Sequence, residues 1–246
     1  MAHSASQDAA VLYQASEYLD RSFEGSGIGC WRAIYLEFLP ALSASCVIEF
    51  GAGTPDFLCQ VRATRRVAVD TGHRFAPEFR AHRISFACRD LEQDRLSDLG
   101  PADVGVCSDV FEHLINPASA LEHISDTLTP EGVLFSHVPN EFRPRHTLRV
   151  MMGRSESVLF HEGHAEWENP HFRRFTDKGF RAFLARRFRH NLPLTDLRSG
   201  RAARWLRRAG LGVPYCLQEG PTYASTNSAA VYERLVLAKR EISRPE

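Results

Sequence analysis

Apolar residues gather in five short runs between residues 46 and 138, each followed by a polar or glycine-rich break. The first is Cys46-Val47-Ile48-Glu49-Phe50, apolar but for one acid. Arg66 to Asp70, Ile84 to Cys88, Asp103 to Ser108 and Gly132 to Val138 repeat the form. Near-continuous runs of this length read as parallel strands buried on both faces. Between them lie Phe57 to Thr64, an irregular stretch at 72–82 and Ala118 to Leu128, which read as helices. Alternating strand and helix is the pattern of a doubly wound α/β domain. Ahead of it, residues 8–22 place Val11, Leu12, Ala15 and Leu19 on one side of a helix, and Trp31 to Leu39 form a second, ended by Pro40. Behind it, Asp177 to Phe188 and Arg201 to Ala209 read as helices, with Val213 to Leu217 and Ala230 to Leu237 as closing strands. Residues 139–175 are rich in Pro, His, Arg and Trp and have no clear period. A long excursion after the fifth strand, at the carboxyl edge of the sheet, is where a lid over a ligand belongs.

The break after the first run carries the first chemical signal. Gly51 and Gly53 follow Phe50 directly, and Pro55 suits the first turn of a helix. Glycines there allow a tight turn and a close approach of backbone N–H groups to a ligand. A dinucleotide fingerprint would need a third glycine where Asp56 stands, so that reading fails. Glu49 instead completes an acid-x-Gly-x-Gly pattern. Asp70 ends the second run about twenty residues beyond the loop, where a carboxylate can accept both hydroxyls of a ribose. Arg89-Asp90-Leu91 follows the third run. In joint order and spacing this series resembles the class I S-adenosylmethionine (SAM) dependent methyltransferases. The resemblance implies a seven-stranded Rossmann-like sheet with helices on both faces and an inserted lid after strand five. Residues 1–246 would form one domain: cap helices over 1–45, a cofactor core over 46–138, an acceptor lid over 139–175, and C-terminal helices and closing strands over 176–246. It further implies SAM contacts at Glu49, Gly51, Ala52, Gly53, Asp70, Thr71, Asp90, Leu91 and Asp109, with Asp90 and Leu91 at the adenine.

Composition narrows the class without naming the substrate. The 246 residues are 43% apolar, which suits one α/β domain with additions. Six scattered cysteines form no Cys-x-x-Cys pair and read as reduced, buried thiols of a cytosolic protein. No apolar run approaches membrane-spanning length, and the N-terminus lacks a basic-then-apolar pattern, so a cytoplasmic enzyme is expected. Charge is uneven: residues 1–140 hold 10 Lys+Arg against 19 Asp+Glu, and residues 141–246 hold 20 against 11. Solvated, arginine-rich helix faces account for this, as does an anionic acceptor held by the C-terminal half.

The second chemical signal follows the fourth run: Ser108-Asp109-Val110-Phe111-Glu112-His113. One helical turn here would put Asp109, Glu112 and His113 on one face, beside the switch point of the sheet. Many small-molecule O-methyltransferases resemble this chain in the Glu-His pair and the later Val138-Pro139-Asn140. Methyltransferases that modify the 3′-terminal ribose of small RNAs are similar too, in Asp109…Glu112-His113, Pro139-Asn140-Glu141-Phe142 and His164-Ala165-Glu166-Trp167. In that second family two acids and two histidines bind a divalent ion. The resemblance therefore implies Asp109, Glu112, His113 and His164 as ligands of an ion such as Mg²⁺, although Asp109 replaces a glutamate. Alternatively His113, with His164, acts directly: an imidazole of ordinary pKa near 6.5 suits deprotonation of a hydroxyl. His137, inside a strand, reads more simply as a core histidine. The leading expectation is methyl transfer to an oxygen of a small-molecule acceptor, an anionic one if the charge asymmetry reflects binding. An RNA 3′ end and an inactive SAM-binding module are the alternatives.

Overall fold

The computed structural model describes residues 30–142, 144–154, 171–198, 203, 205–206, 209–211, 213–214 and 217–243. The helix expected over 8–22, and His161, His164 and Trp167, lie outside these residues. In chain order the elements are α1 (Cys30–Leu42), β1 (Cys46–Phe50), α2 (Asp56–Gln60), β2 (Arg65–Asp70), α3 (Ala76–Ala81), β3 (Ser85–Cys88), β4 (Ala102–Ser108), α4 (Pro117–Asp126), β5 (Leu128–His137), α5 (Pro144–Met151), α6 (Asp177–Leu184), β6 (His190–Pro193), β7 (Thr222–Thr226) and α7 (Ala229–Ile242). The strands form one seven-stranded sheet in the order β3-β2-β1-β4-β5-β7-β6. β1 to β5 run parallel, and β7 lies antiparallel between β5 and β6. The order reverses between β1 and β4, so a crevice opens at their carboxyl ends. Among the described residues, no helix is long and apolar enough to cross a membrane.

Period-two alternation divides the strand side chains between two layers. Val47, Val104, Val106 and Phe135 face one core with Trp31, Tyr35 and Phe38 of α1 and Val231 and Leu235 of α7. Ile48, Phe50, Val69 and Cys107 face the other, with Leu121 and Ile124 of α4 and Phe180 and Leu184 of α6. Tyr35 stacks on Phe135 at 4.9 Å between ring centroids, with Phe38 at 5.7 Å. Burying each such ring contributes about 1.5–3 kcal/mol, so α1 is fixed firmly over β4 and β5. Asn116 caps α4 by accepting from Ser119 N, and Pro117 occupies its first turn.

Three expectations change. The closing strands are β6 and β7, not Ala230–Leu237, and part of the other expected strand, Val213–Leu217, lies outside the described residues. Residues 230–237 lie in α7, where Val231, Leu235 and Ala238 are buried at helical spacing and Ser228 caps by accepting from Val231 N. β7 was hidden because its sequence, Thr-Tyr-Ala-Ser-Thr, is polar yet wholly buried. Hydrogen bonds replace apolar character there: Ser225 donates to Asn191 Oδ1, and Thr222 to Gly220 O. Finally, the excursion after β5 contains the helix α5, which its composition did not reveal. The start of the excursion is tied to the segment before β7, where Val138 N donates to Pro221 O and Asn140 Nδ2 to Gln218 O.

Candidate active site

The crevice at β1 and β4 begins with the glycine turn. Gly51 and Gly53 have φ of 67° and 57°, the left-handed region that glycine adopts without a side-chain clash. A Cβ on Gly51 would stand 2.3 Å from Val110 Cγ2, so the turn is pressed against the segment after β4. Its three N–H groups are already engaged. Gly51 N and Ala52 N donate to Val69 O at 2.8 and 3.2 Å, and Gly53 N donates to Asp70 Oδ2 at 2.9 Å. Asp70 also accepts from Gly72 N at 3.0 Å and from the backbone of Thr71. Burial raises the Asp70 carboxyl above its ordinary range against these bonds. Its oxygens retain lone pairs for a ribose at the end of β2. Asp90 accepts from Glu92 N and Gln93 Nε2, which shapes the turn after β3 and buries Leu91 beside it. An adenosine lying here would meet the Asp70 carboxylate at its ribose, the glycine turn beneath, and the turn after β3 at its base.

Glu49 is fully buried at the end of β1 and accepts from Arg32 Nε of α1 at 2.6 Å. Burial pushes its carboxyl up to about 7, although the Arg32 guanidinium pulls the other way. Its second oxygen has no hydrogen-bond partner among the described residues.

The turn after β4 departs from one continuous helical face. Asp109 takes a left-handed φ of 56°, and a 3-10 turn then runs from Phe111 to His113. Asp109 is thereby directed to His137, with Nε2 to Oδ1 at 3.5 Å, and its side chain is half exposed. His137 is not a bare core residue. It stacks on Trp31 of α1 at 5.1 Å, and its Nδ1 meets Thr222 Oγ1 at 2.8 Å. Phe111 is buried between Phe180 and Phe183, which anchors the turn.

Glu112 and His113 converge with a histidine from further along the chain. Glu112, His113 and His171 offer donor atoms that all lie within 4.8 Å of one another. The two imidazoles meet edge to face at 4.7 Å. Arg173 N donates to Glu112 O at 3.0 Å, which brings the segment 171–175 alongside the turn. His171 Nδ1 is paired in turn with the buried carboxylate of Glu141. Among the described residues, neither carboxyl oxygen of Glu112 has a hydrogen-bond partner from another residue. Burial, then the charges of Asp109 and Glu141, raises Glu112 well above the carboxylate range.

The crevice therefore collects Glu49, Gly51, Ala52, Gly53, Asp70 and Thr71 along β1 and β2, with Asp90 and Leu91 at β3. It sets Asp109 apart from Glu112 and His113, and His171 stands beside them. His171 and Glu141 stand in segments whose aperiodic sequence gave no face to assign. Glu141 directly after Pro139-Asn140 was the available signal.

A methyltransferase-domain family profile matches residues 28–213. No curated protein matches the chain. Among solved structures, the plantazolicin methyltransferase BamL, in complex with a triazolic desmethylPZN analog and S-adenosyl-homocysteine (SAH), shares 11% identity. The match covers 91% of this chain and 98% of that one, with a TM-score of 0.57. A SAM-dependent methyltransferase from Clostridium acetobutylicum shares 13% identity over 91% of this chain and 99% of its own, with a TM-score of 0.56. A Thermotoga maritima SAM-dependent methyltransferase, described as a possible histamine N-methyltransferase, shares 13% over 88% and 100%, with a TM-score of 0.53. At such identities these likenesses carry the fold, while the profile spans most of the chain. The chain belongs to the methyltransferase-domain family, and it is a class I SAM-dependent methyltransferase.

Proposed function

We propose that this enzyme methylates an oxygen of a small-molecule acceptor that enters beside Glu112, His113 and His171. The carrying observation is the convergence of these three side chains at the carboxyl end of β4, next to the cofactor crevice. SAM supplies a methyl group bound to a sulfonium, which needs a nucleophile aligned behind it and little else. Catalysis then consists of orienting the acceptor and removing its proton. His113 is placed for that proton: its side chain is 14% exposed, and it borders the buried Glu112 carboxyl with Nε2 at 3.9 Å. His171, held by Glu141, fixes the edge of the His113 ring. The arginine-rich C-terminal half favours an anionic acceptor. Such a metabolic enzyme would work in the cytoplasm.

A second reading rests on the two unpartnered oxygens of buried Glu112. A divalent ion would satisfy them, with His113 and His171 completing a mixed oxygen and nitrogen set. Asp109, expected as a ligand, faces His137 instead, and His164, also expected, lies outside the described residues. Such an ion would suit an acceptor with paired hydroxyls, as at an RNA 3′ end. Initial rates with and without chelator, across pH 5 to 9, separate the two. Direct base catalysis predicts rates that resist chelator, fall with acid, and drop roughly 10²–10⁴-fold in His113→Ala. Loss with chelator and recovery with Mg²⁺ or Mn²⁺ would replace it with the metal reading. SAM binding with no turnover on any acceptor would leave an inactive module.

A further inference from the structure

Arg174 stands in the segment 171–175, which is tied along its length to the turn after β4. His171 meets the His113 ring edge to face and is paired with Glu141. Arg173 donates from its backbone N to Glu112 O and from Nη2 to Ile115 O at 2.5 Å. Phe175 packs on Phe180 and Phe183, with ring centroids at 5.2 and 5.5 Å. Thr176 then caps α6 by accepting from Gly179 N. Backbone anchored on both sides thus carries Arg174, whose Cα lies about 3.8 Å from that of Arg173.

The guanidinium of Arg174 departs from this bonding. Its Nε and Nη2 are closed off from solvent, and among the described residues neither has a hydrogen-bond partner. Sheltered donors are rarely left idle, because nothing replaces the bonds they made to water. These two nitrogens share one edge of the guanidinium and point their N–H bonds the same way. That edge is the fork that takes both oxygens of a carboxylate or phosphate. Arg187 shows the ordinary use of the same edge, with Nε donating to Ser125 Oγ and Nη2 to Asp126 Oδ1. A surface arginine explained by solvation would keep its fork in water, and the fork of Arg174 is out of water, beside Glu112, His113 and His171.

We propose that Arg174 selects the acceptor: its Nε and Nη2 edge takes a carboxylate or phosphate group of the small molecule, and so presents the oxygen to be methylated to His113. This rests on the acceptor entering beside Glu112, His113 and His171. The test reads binding rather than turnover, so the two can fail separately. Thermal midpoints of SAH-loaded protein are compared in benzoate, in inorganic phosphate, and in benzamide as the uncharged match to benzoate. One of the two anions should raise the wild-type midpoint saturably, and benzamide should not. Which anion acts names the group. Arg174→Gln, or Arg174→Met should the first fold poorly, should weaken that anion roughly 10- to 100-fold. Arg174→Lys should recover phosphate better than benzoate, since it offers a point charge in place of a fork. A crystal of SAH-loaded protein with the effective anion should place its oxygens on Nε and Nη2. No anion-dependent rise in wild type, an equal rise in Arg174→Gln, or an anion bound elsewhere would overturn the proposal and leave methyl transfer to oxygen standing. Anion binding lost with Arg174, in an enzyme that methylates only nitrogen or carbon, would support Arg174 and overturn the oxygen reading.

Discussion

Glu112 sets stability against chemistry within one side chain. It is 1% exposed, and among the described residues both carboxyl oxygens lack a partner. An unsatisfied buried polar group costs about 1–3 kcal/mol. Glu112→Met removes that cost at similar volume and should raise stability by a comparable amount, read as a higher denaturant midpoint. The same variant should lose most methyl transfer, since it empties the cluster with His113 and His171. A variant that is less stable than wild type would mean that Glu112 is satisfied in the folded protein. At this scale the sequence was uneven. Asp70 could be placed from its distance to the glycine turn, because a parallel strand has a nearly fixed length. Asp109 could be found but not aimed: a single left-handed φ turned it to His137 and out of the helical face with Glu112.

The glycine turn and the segment after β4 behave as one unit, since Gly51 touches Val110. Gly51→Ala places a Cβ at a φ of 67°, which costs about 1–2 kcal/mol by itself. The contact with Val110 at 2.3 Å adds to that cost. Val110→Ala opens room, so the double variant should be less destabilised than the two single losses summed. Urea melts of the three variants measure this coupling, and strict additivity would show that the two segments are independent. The strands β1, β2, β4 and β5 were legible because burial of their central residues on both faces forces continuous apolar runs. β7 is just as buried, but small hydroxyl side chains meet their hydrogen bonds inside the sheet and erase that signal. α7 misled in the opposite direction, since its apolar residues are frequent enough to imitate a strand unless the spacing of Val231, Leu235 and Ala238 is followed.

Across the whole molecule, the buried acids of the crevice share one direction of shift. Glu49, Asp70 and Glu112 are all raised, each mainly by burial. A raised carboxyl keeps its proton in the folded chain at a pH where the unfolded chain has lost it. Folded protein then binds more protons, and stability falls as pH rises through that window. For Glu49 the window runs from 4.5 to about 7, which corresponds to about 3 kcal/mol. Glu49→Gln should therefore gain stability relative to wild type between pH 5 and pH 8 in cofactor-free protein. Thermal melts at the two pH values test this, and a pH-independent difference would mean that the Arg32 pair keeps Glu49 ionised throughout. The buried pair of Glu141 with His171 has a consequence on the same scale. It joins two residues that stand 30 apart in sequence, so the chain between them leaves and re-enters at one pinned neck. Once a neck is closed, doubling the length of what hangs from it costs only about 0.6 kcal/mol in closure entropy. Insertions and deletions there are cheap for the fold. A change in the length of chain between Glu141 and His171 should thus leave the thermal midpoint and cofactor affinity nearly unchanged, so long as that pair is kept.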